Sequence, residues 1–172
     1  KGYAMAYFDK MITNKGVQKP DKKIFISADA HSPKHCCDTL DIQEQVVKDY
    51  KPDSFVNLGD AADYGDLNHH IMDRGGVIFG DIVKSAAETF HVMKRQATWS
   101  KDNHVQKGNH ERFANDFIEK FPQLRNLLSF EFLCAIETLK YTITELKTAI
   151  KINDATFIHG DMRLWGQTGS NL

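Results

Sequence analysis

Short apolar runs alternate along this chain with longer stretches of helical periodicity. Runs with the composition of buried β-strands cover residues 23–28, 54–58, 103–107 and 155–158. Between the first two runs, the sequence predicts a helix that starts after Asp38 or Asp41 and ends before Pro52. Apolar residues spaced along one helical face from Phe79 to Met93 predict a second, stronger helix over 79–96.

The second half of the chain repeats this arrangement. A helix is predicted to start at Glu111 and to end near Pro122, and a further helical stretch covers 123–149. The run at 103–107 is polar for a buried strand, so we expect it near an edge of the sheet. The resulting order β-α-β-α-β-α-β predicts an α/β layered fold with right-handed crossovers between the strands.

Length and composition narrow the class of protein. The chain has 172 residues, of which 41% are hydrophobic and 26% charged, as in ordinary globular domains. We predict an N-terminal extension at 1–22 and one domain at 23–172. The net charge of -1 gives no overall reason to expect nucleic acid or a membrane surface as partner.

Cysteine usage and hydropathy indicate the cellular compartment in which we expect the protein. The three cysteines, two of them adjacent, form neither a disulfide framework nor a Cys-x-x-Cys site. The sequence contains neither a signal peptide nor an apolar run long enough to span a membrane. We therefore predict a cytoplasmic protein with reduced thiols and no membrane partner, and the oligomeric state stays open.

The chemistry-bearing residues follow the predicted strands. The central run leads through Gly59 directly into Asp60 and Asp63, and the first run leads into Asp29 and His31. Open α/β sheets bind their ligands at the carboxyl ends of their strands. We therefore expect these carboxylates and this imidazole to share one edge of the sheet.

The two later strand ends add donors of the same kind. The third run leads into Asn109, His110 and Glu111, and the fourth leads into His159. Hard oxygen donors and imidazoles that converge in this way indicate a site for two divalent ions. Mixed nitrogen and oxygen donors without thiolate suit Mn, which we predict, with Fe, Zn, Ni or Mg as alternatives.

Each donor can be given a role in such a site. We predict that Asp60 bridges the two ions, that Asp29 and His31 bind one of them, and that Asn109 and His159 bind the other. A water molecule between two such ions has a lowered pKa and can attack a phosphoester.

The residues next to these donors can take part in the reaction. We predict that His110 is catalytic, as general acid for the leaving oxygen or as an electrostatic partner of the transition state. Asp63 is predicted to orient the His110 ring. Glu111 could do the same, or it could simply interact with the dipole of a helix N-terminus. His35 is a candidate contact for phosphate.

These motifs follow one another along the chain in an order that is found in one protein superfamily. Asp29-x-His31, Gly59-Asp60-x-x-Asp63, Gly108-Asn109-His110-Glu111 and His159 resemble the calcineurin-like metallophosphoesterase superfamily, and the resemblance runs from about residue 23 to 161. It implies a β-sandwich flanked by helices, a dinuclear metal site with the ligands assigned above, and hydrolysis of a phosphoester substrate.

Two departures from the family pattern refine the expectation. The family's closing Gly-His-x-His motif does not follow His159, so it lies beyond this chain or is absent, and we expect the C-terminal part of the domain to be missing. Protein phosphatases of the family continue the central motif with Arg-Gly, whereas Tyr64-Gly65 stands here. We therefore predict a phosphodiesterase or a nuclease acting on DNA or RNA. The alternative is a non-catalytic binding or structural module within a larger assembly.

Overall fold

A computed structural model describes residues 22–67 and 79–160 of the chain. At its centre is a parallel sheet whose four strands lie side by side in chain order: β1 (Ile24–Ser27), β2 (Ser54–Asn57), β3 (Asp102–Gln106) and β4 (Thr142–Thr144). An antiparallel hairpin of β5 (Ile150–Ile152) and β6 (Ala155–Phe157) lies outside this sheet.

Helices connect the strands of the parallel sheet. The longer ones are α1 (Cys37–Tyr50), α2 (Phe79–Gln96) and α3 (Asn109–Lys120), and the short α4 (Arg125–Leu128) and α5 (Phe130–Leu133) follow. Single 3-10 turns occupy Gly65–Leu67, Pro122–Leu124 and Ile136–Leu139. Helix α1 ends because Lys51 adopts a left-handed conformation and donates its N–H to the Val47 carbonyl, after which Pro52 cannot continue the helix.

Successive residues of β2 face two different layers. Phe55 lies in the main core with Val105 and with buried residues of α1, α2 and α3, whereas Val56 packs against Ile150 and Ile152 of the hairpin. Side chains alternate across a strand, so the helices cover one face of the sheet and the hairpin covers part of the other. All four residues of β2 are buried, which is typical of a central parallel strand.

The layered α/β class predicted from the sequence is confirmed. The helix predicted over 79–96 coincides with α2, where Ile82, Ala86 and Met93 are buried. The first two predicted strands correspond to β1 and β2, and the last corresponds to β6.

The third strand was predicted to lie near an edge of the sheet, and among the described strands it is second from the edge. β3 lies between β2 and β4, inside the parallel sheet. Its polar side chains bond to groups outside the strand: Asn103 Nδ2 donates to the carbonyls of Ala97 and Ser100, and Gln106 Nε2 donates to the Thr148 carbonyl. Hydrogen bonds to these partners offset the cost of burying the side chains.

The helical stretch predicted over 123–149 is wrong. It contains short helical turns and all of β4, and β5 begins directly after it, at Ile150. Ala135 and Lys140 interrupt the helical part by adopting left-handed backbone conformations. The strands are three residues long, too short to show a period-two pattern that competes with helical spacing.

The division of the chain into an extension and a domain stays a prediction, because residues 1–21 lie outside the described part. Lys22 is described, and its ammonium lies 2.7 Å from Asp102 Oδ2 at the start of β3. Within 22–67 and 79–160, every helix is too short or too polar to cross a bilayer.

Candidate metal centre

Main-chain hydrogen bonds join the loops that follow β1 and β2. The N–H of Asp29 donates to the Gly59 carbonyl at 3.1 Å, and the N–H of His31 donates to the Asp60 carbonyl at 2.8 Å. The strand pairing therefore continues past the ends of the strands. Residues predicted from two separate motifs lie together at one edge of the sheet.

The loops after β2 and β3 cross at a pair of glycines. A Cβ on Gly59 would lie 2.6 Å from the nitrogen of Gly108, and a Cβ on Gly108 would lie 2.2 Å from Asp60 Oδ1. Both distances are too short for any side chain, and Gly59 also has a φ of +92°. The close crossing brings Asn109 and His110 next to Asp60.

Three predicted metal ligands have left-handed backbone conformations. The φ angles are +56° at Asp29, +48° at His31 and +51° at Asp60. Residues other than glycine seldom adopt this region, and such conformations are concentrated at functional sites. The main-chain hydrogen bonds between the loops hold these residues in place.

Glu111 stabilises the crossing of the loops after β2 and β3 from the protein interior. Its carboxylate is fully buried and accepts the N–H groups of Asp60 (2.9 Å), Ala62 (3.0 Å) and Gly108 (2.7 Å). Burial raises the pKa of this carboxyl, and the N–H donors oppose that shift because they favour the charged form. Glu111 therefore interacts with the N-terminus of α3, as one of the two predicted roles had it, and through Asp60 and Ala62 it also holds the loops after β2 and β3 together.

Possible metal-ligand atoms from three motifs converge around His159. Its Nδ1–H donates to the Leu58 carbonyl at 2.6 Å, which fixes the ring with Nε2 toward Asn109 and Asp60. That Nε2 lies 3.0 Å from Asn109 Oδ1 and 3.4 Å from Asp60 Oδ2. An imidazole nitrogen, an amide oxygen and a carboxylate oxygen are ligands that divalent ions such as Mn²⁺ or Zn²⁺ accept, so this donor set fits a divalent ion.

His31 approaches Asp60 from the other side. Its Nε2 lies 3.8 Å from Asp60 Oδ2 and 3.8 Å from Asp29 Oδ1. Asp60 Oδ2 is thus near imidazoles that belong to two different loops, and its side chain is buried. This is the position that a ligand shared by two ions would need.

Within the described residues, two groups of three side chains have donor atoms close enough to hold an ion. One group is Asp29, Asp60 and His159, and the other is His31, Asp60 and His110. Asp60 belongs to both, as the bridging role requires. The grouping pairs Asp29 with His159, whereas the sequence assigned Asp29 and His31 to one ion, so the division of ligands between the ions stays a prediction.

His110 lies against His31 and Asp63. Its ring centroid is 4.4 Å from that of His31, in an edge-to-face arrangement. Nδ1 of His110 bonds to the main-chain carbonyl of Asp63, and the Asp63 carboxylate lies 3.6 Å away from the same nitrogen. Asp63 therefore contacts the ring mainly through its backbone, which leaves Nε2 for the interior of the site.

His35 and Lys34 follow His31 in the same loop. His35 Nδ1 lies 3.2 Å from Ser32 Oγ, and the ring borders a cavity of about 250 Å³ beside Asp29. The Lys34 ammonium lies 2.6 Å from Asp63 Oδ2. Sequence reasoning did not single out Lys34, because a lysine in a loop is common and nothing in the motif marks it.

Comparison with known proteins agrees with this geometry. Residues 22–168 match the family model of calcineurin-like phosphoesterases, a stretch that includes every predicted site residue. No curated protein and no solved structure matches the chain. The match supports metal-dependent hydrolysis of a phosphoester. On this match, which covers most of its length, the chain belongs to the calcineurin-like phosphoesterase family.

Proposed function

We propose that this protein is a dinuclear metal-dependent phosphoesterase of the phosphodiesterase or nuclease type. The observation that carries the proposal is the convergence of Asn109 Oδ1 and Asp60 Oδ2 on His159 Nε2, at 3.0 Å and 3.4 Å. Asp29 and His31 complete the proposed ligand set, and Mn²⁺ is the proposed ion. Two bound ions would lower the pKa of a water molecule and stabilise the charge that develops on the phosphoryl oxygens.

The protein's own groups have separate roles in the proposed reaction. Water that has released a proton to solvent attacks phosphorus, the bond to the leaving oxygen breaks, and His110 supplies a proton to that oxygen from Nε2. The bond from His110 Nδ1 to the Asp63 carbonyl fixes the ring so that Nε2 faces the site. Asp63 is therefore proposed as a positioning residue.

Tyr64 supports the diesterase or nuclease branch over the protein phosphatases. It occupies the position where the protein phosphatases of the family carry arginine, and its side chain is buried with the hydroxyl 3.4 Å from Cys134 Sγ. Burial raises the pKa of this hydroxyl well above its ordinary value, so it stays neutral. A neutral, buried phenol cannot replace a cation that binds phosphate.

The Asp60→Asn variant tests the proposal. Losing a ligand that both ions share should weaken the binding of both. Removing a group that only hydrogen-bonds to a metal ligand already lowers metal affinity or activity about 10–100-fold. We expect Asp60→Asn to lower hydrolysis of an aryl phosphodiester by more than about 100-fold and to lower the bound Mn²⁺ measured by elemental analysis. Asp154→Asn, in the exposed turn of the hairpin, is the matched control and should leave both unchanged.

Two outcomes would contradict the proposal. Full activity in Asp60→Asn would remove Asp60 from the mechanism. Wild-type protein without bound Mn²⁺ and without hydrolysis would favour the non-catalytic binding module instead. Cleavage of a long polynucleotide that weakens steeply with salt would identify a nuclease, and activity confined to small diesters would identify a phosphodiesterase.

A further inference from the structure

The Lys34 side chain carries a positive charge close to two imidazoles of the proposed site, across the Asp63 carboxylate. Its Nζ lies 2.6 Å from Asp63 Oδ2. The other oxygen of that carboxylate lies 3.7 Å from His31 Nδ1 and 3.6 Å from His110 Nδ1. A single carboxylate therefore separates the ammonium from two imidazoles of the site.

The loop that carries Lys34 is held by its main chain. The N–H of Ser32 donates to the Ala61 carbonyl and the N–H of Asp63 donates to the Ser32 carbonyl, both at 2.9 Å. Ser85 Oγ donates to the Ser32 carbonyl at 2.9 Å, and the N–H of Lys34 donates to the His31 carbonyl at 2.7 Å. These hydrogen bonds hold the loop without involving the lysine side chain.

The ion pair with Asp63 is a poor explanation for Lys34 as a structural residue. The Lys34 side chain is 71% exposed, and exposed ion pairs contribute little to stability. Lys107 gives a contrast, since it also adjoins a motif residue, Gly108. The Lys107 side chain is buried, and its ammonium pairs with Glu131 and Glu145 as in a structural ion pair.

We propose that Lys34 is a substrate-binding residue whose ammonium contacts a non-bridging oxygen of the scissile phosphate. An ammonium carries three N–H donors, so it can hold Asp63 and a phosphoryl oxygen at the same time. The inference rests on the proposed phosphoester site and adds a contact made by the protein itself. It supplies from the loop after β1 the positive charge that Tyr64 does not provide.

Binding of inorganic phosphate tests this contact without requiring turnover. Calorimetry on the full chain in Mn²⁺ should give a Kd for phosphate that rises about 10-fold in Lys34→Ala, the size expected for one charged hydrogen bond. Lys34→Arg should recover most of the affinity. Lys48→Ala is the matched control, because Lys48 is an exposed lysine of α1 paired with Glu44 at 2.8 Å, and it should bind like the wild type.

A double variant separates a direct contact from an effect through Asp63. In an Asp63→Asn background, Lys34→Ala should still weaken phosphate binding. If the effect disappears there, Lys34 acts through Asp63 and the proposal is overturned. Equal Kd values for wild type and Lys34→Ala, or no phosphate binding by the wild type, would overturn it as well.

The same set of variants distinguishes failure of the Lys34 contact from failure of the proposed reaction. Wild-type protein that binds phosphate in a Lys34-dependent way but hydrolyses no ester would sustain the Lys34 contact and reject the proposed reaction. In an active enzyme, Lys34→Ala should raise KM for an aryl phosphodiester about 10-fold with little change in kcat, because the contact exists before the reaction as well as during it.

Discussion

Among single residues, Glu111 determines how the loops after β2 and β3 meet. Its buried carboxylate accepts N–H groups from residues about fifty positions away in the chain. Such a role depends on a crossing of loops that no local pattern encodes, which is why the sequence offered only an orienting role for His110 or a helix dipole. The Gly108-to-Glu111 spacing was visible, but the long-range partners were not.

We expect Glu111→Gln to destabilise the protein by about 2–4 kcal/mol, because an amide nitrogen would face buried N–H donors that then lack an acceptor. Urea unfolding measures this free energy. Glu119→Gln, an exposed change on the same helix, should stay within about 0.5 kcal/mol of the wild type. Equal stability of the two variants would show that the three N–H bonds are dispensable.

Among the elements, β3 is the most polar for a strand with neighbours on both sides. Its polar residues predicted a position near an edge, and in the structure they bond to Ala97, Ser100 and Thr148, which other parts of the fold bring into reach. Gln106 also accepts the N–H of His159 at 2.8 Å, so the strand helps to fix a proposed ligand. A polar residue in a strand reveals its position only when its partner is known.

The first residue of β3 makes stability depend on pH. Burial alone would raise the pKa of Asp102, but hydrogen bonds from Lys22 and Ser54 and the nearby His104 lower it from 3.8 to about 2. The unfolded chain therefore takes up this proton first as the pH falls. The stabilisation is present above pH 3.8 and is lost as the pH falls toward about 2.

We expect Asp102→Asn to flatten this acid dependence. Urea unfolding of the wild type and the variant, followed from about pH 5 to about pH 2, measures the difference in slope. Lys22→Gln removes one of the partners and should give an intermediate slope. Identical slopes for wild type and Asp102→Asn would show that Asp102 has the same pKa in the folded and unfolded states.

At the scale of the whole molecule, the proposed ligands join distant parts of the chain. Asp29 follows β1, Asp60 follows β2, Asn109 starts α3, and His159 follows β6. The convergence of the motifs after β1, β2 and β3 could be predicted because parallel strands share one edge, whereas His159 follows a hairpin strand outside that sheet. The division of the ligands between the two ions could not be predicted, because the left-handed turns at Asp29 and His31 set the side-chain directions.

Metal ions that bind this site should stabilise the folded state as a whole. A ligand at about 100 times its Kd adds about 2.7 kcal/mol, so Mn²⁺ should raise the thermal midpoint and a chelator should reverse the rise. Differential scanning fluorimetry measures the shift. Asp60→Asn should show a clearly smaller shift, and an unchanged wild-type midpoint at high Mn²⁺ would contradict binding to the folded protein.

The hairpin of β5 and β6 has a consequence for synthesis of the protein. The ribosome releases the chain from its N-terminal end, and the hairpin comes after the whole parallel sheet. A nascent chain can build the sheet and its helices before His159 has emerged. The proposed centre would therefore acquire its last imidazole late, and full metal loading would follow translation of the hairpin instead of guiding the first steps of folding.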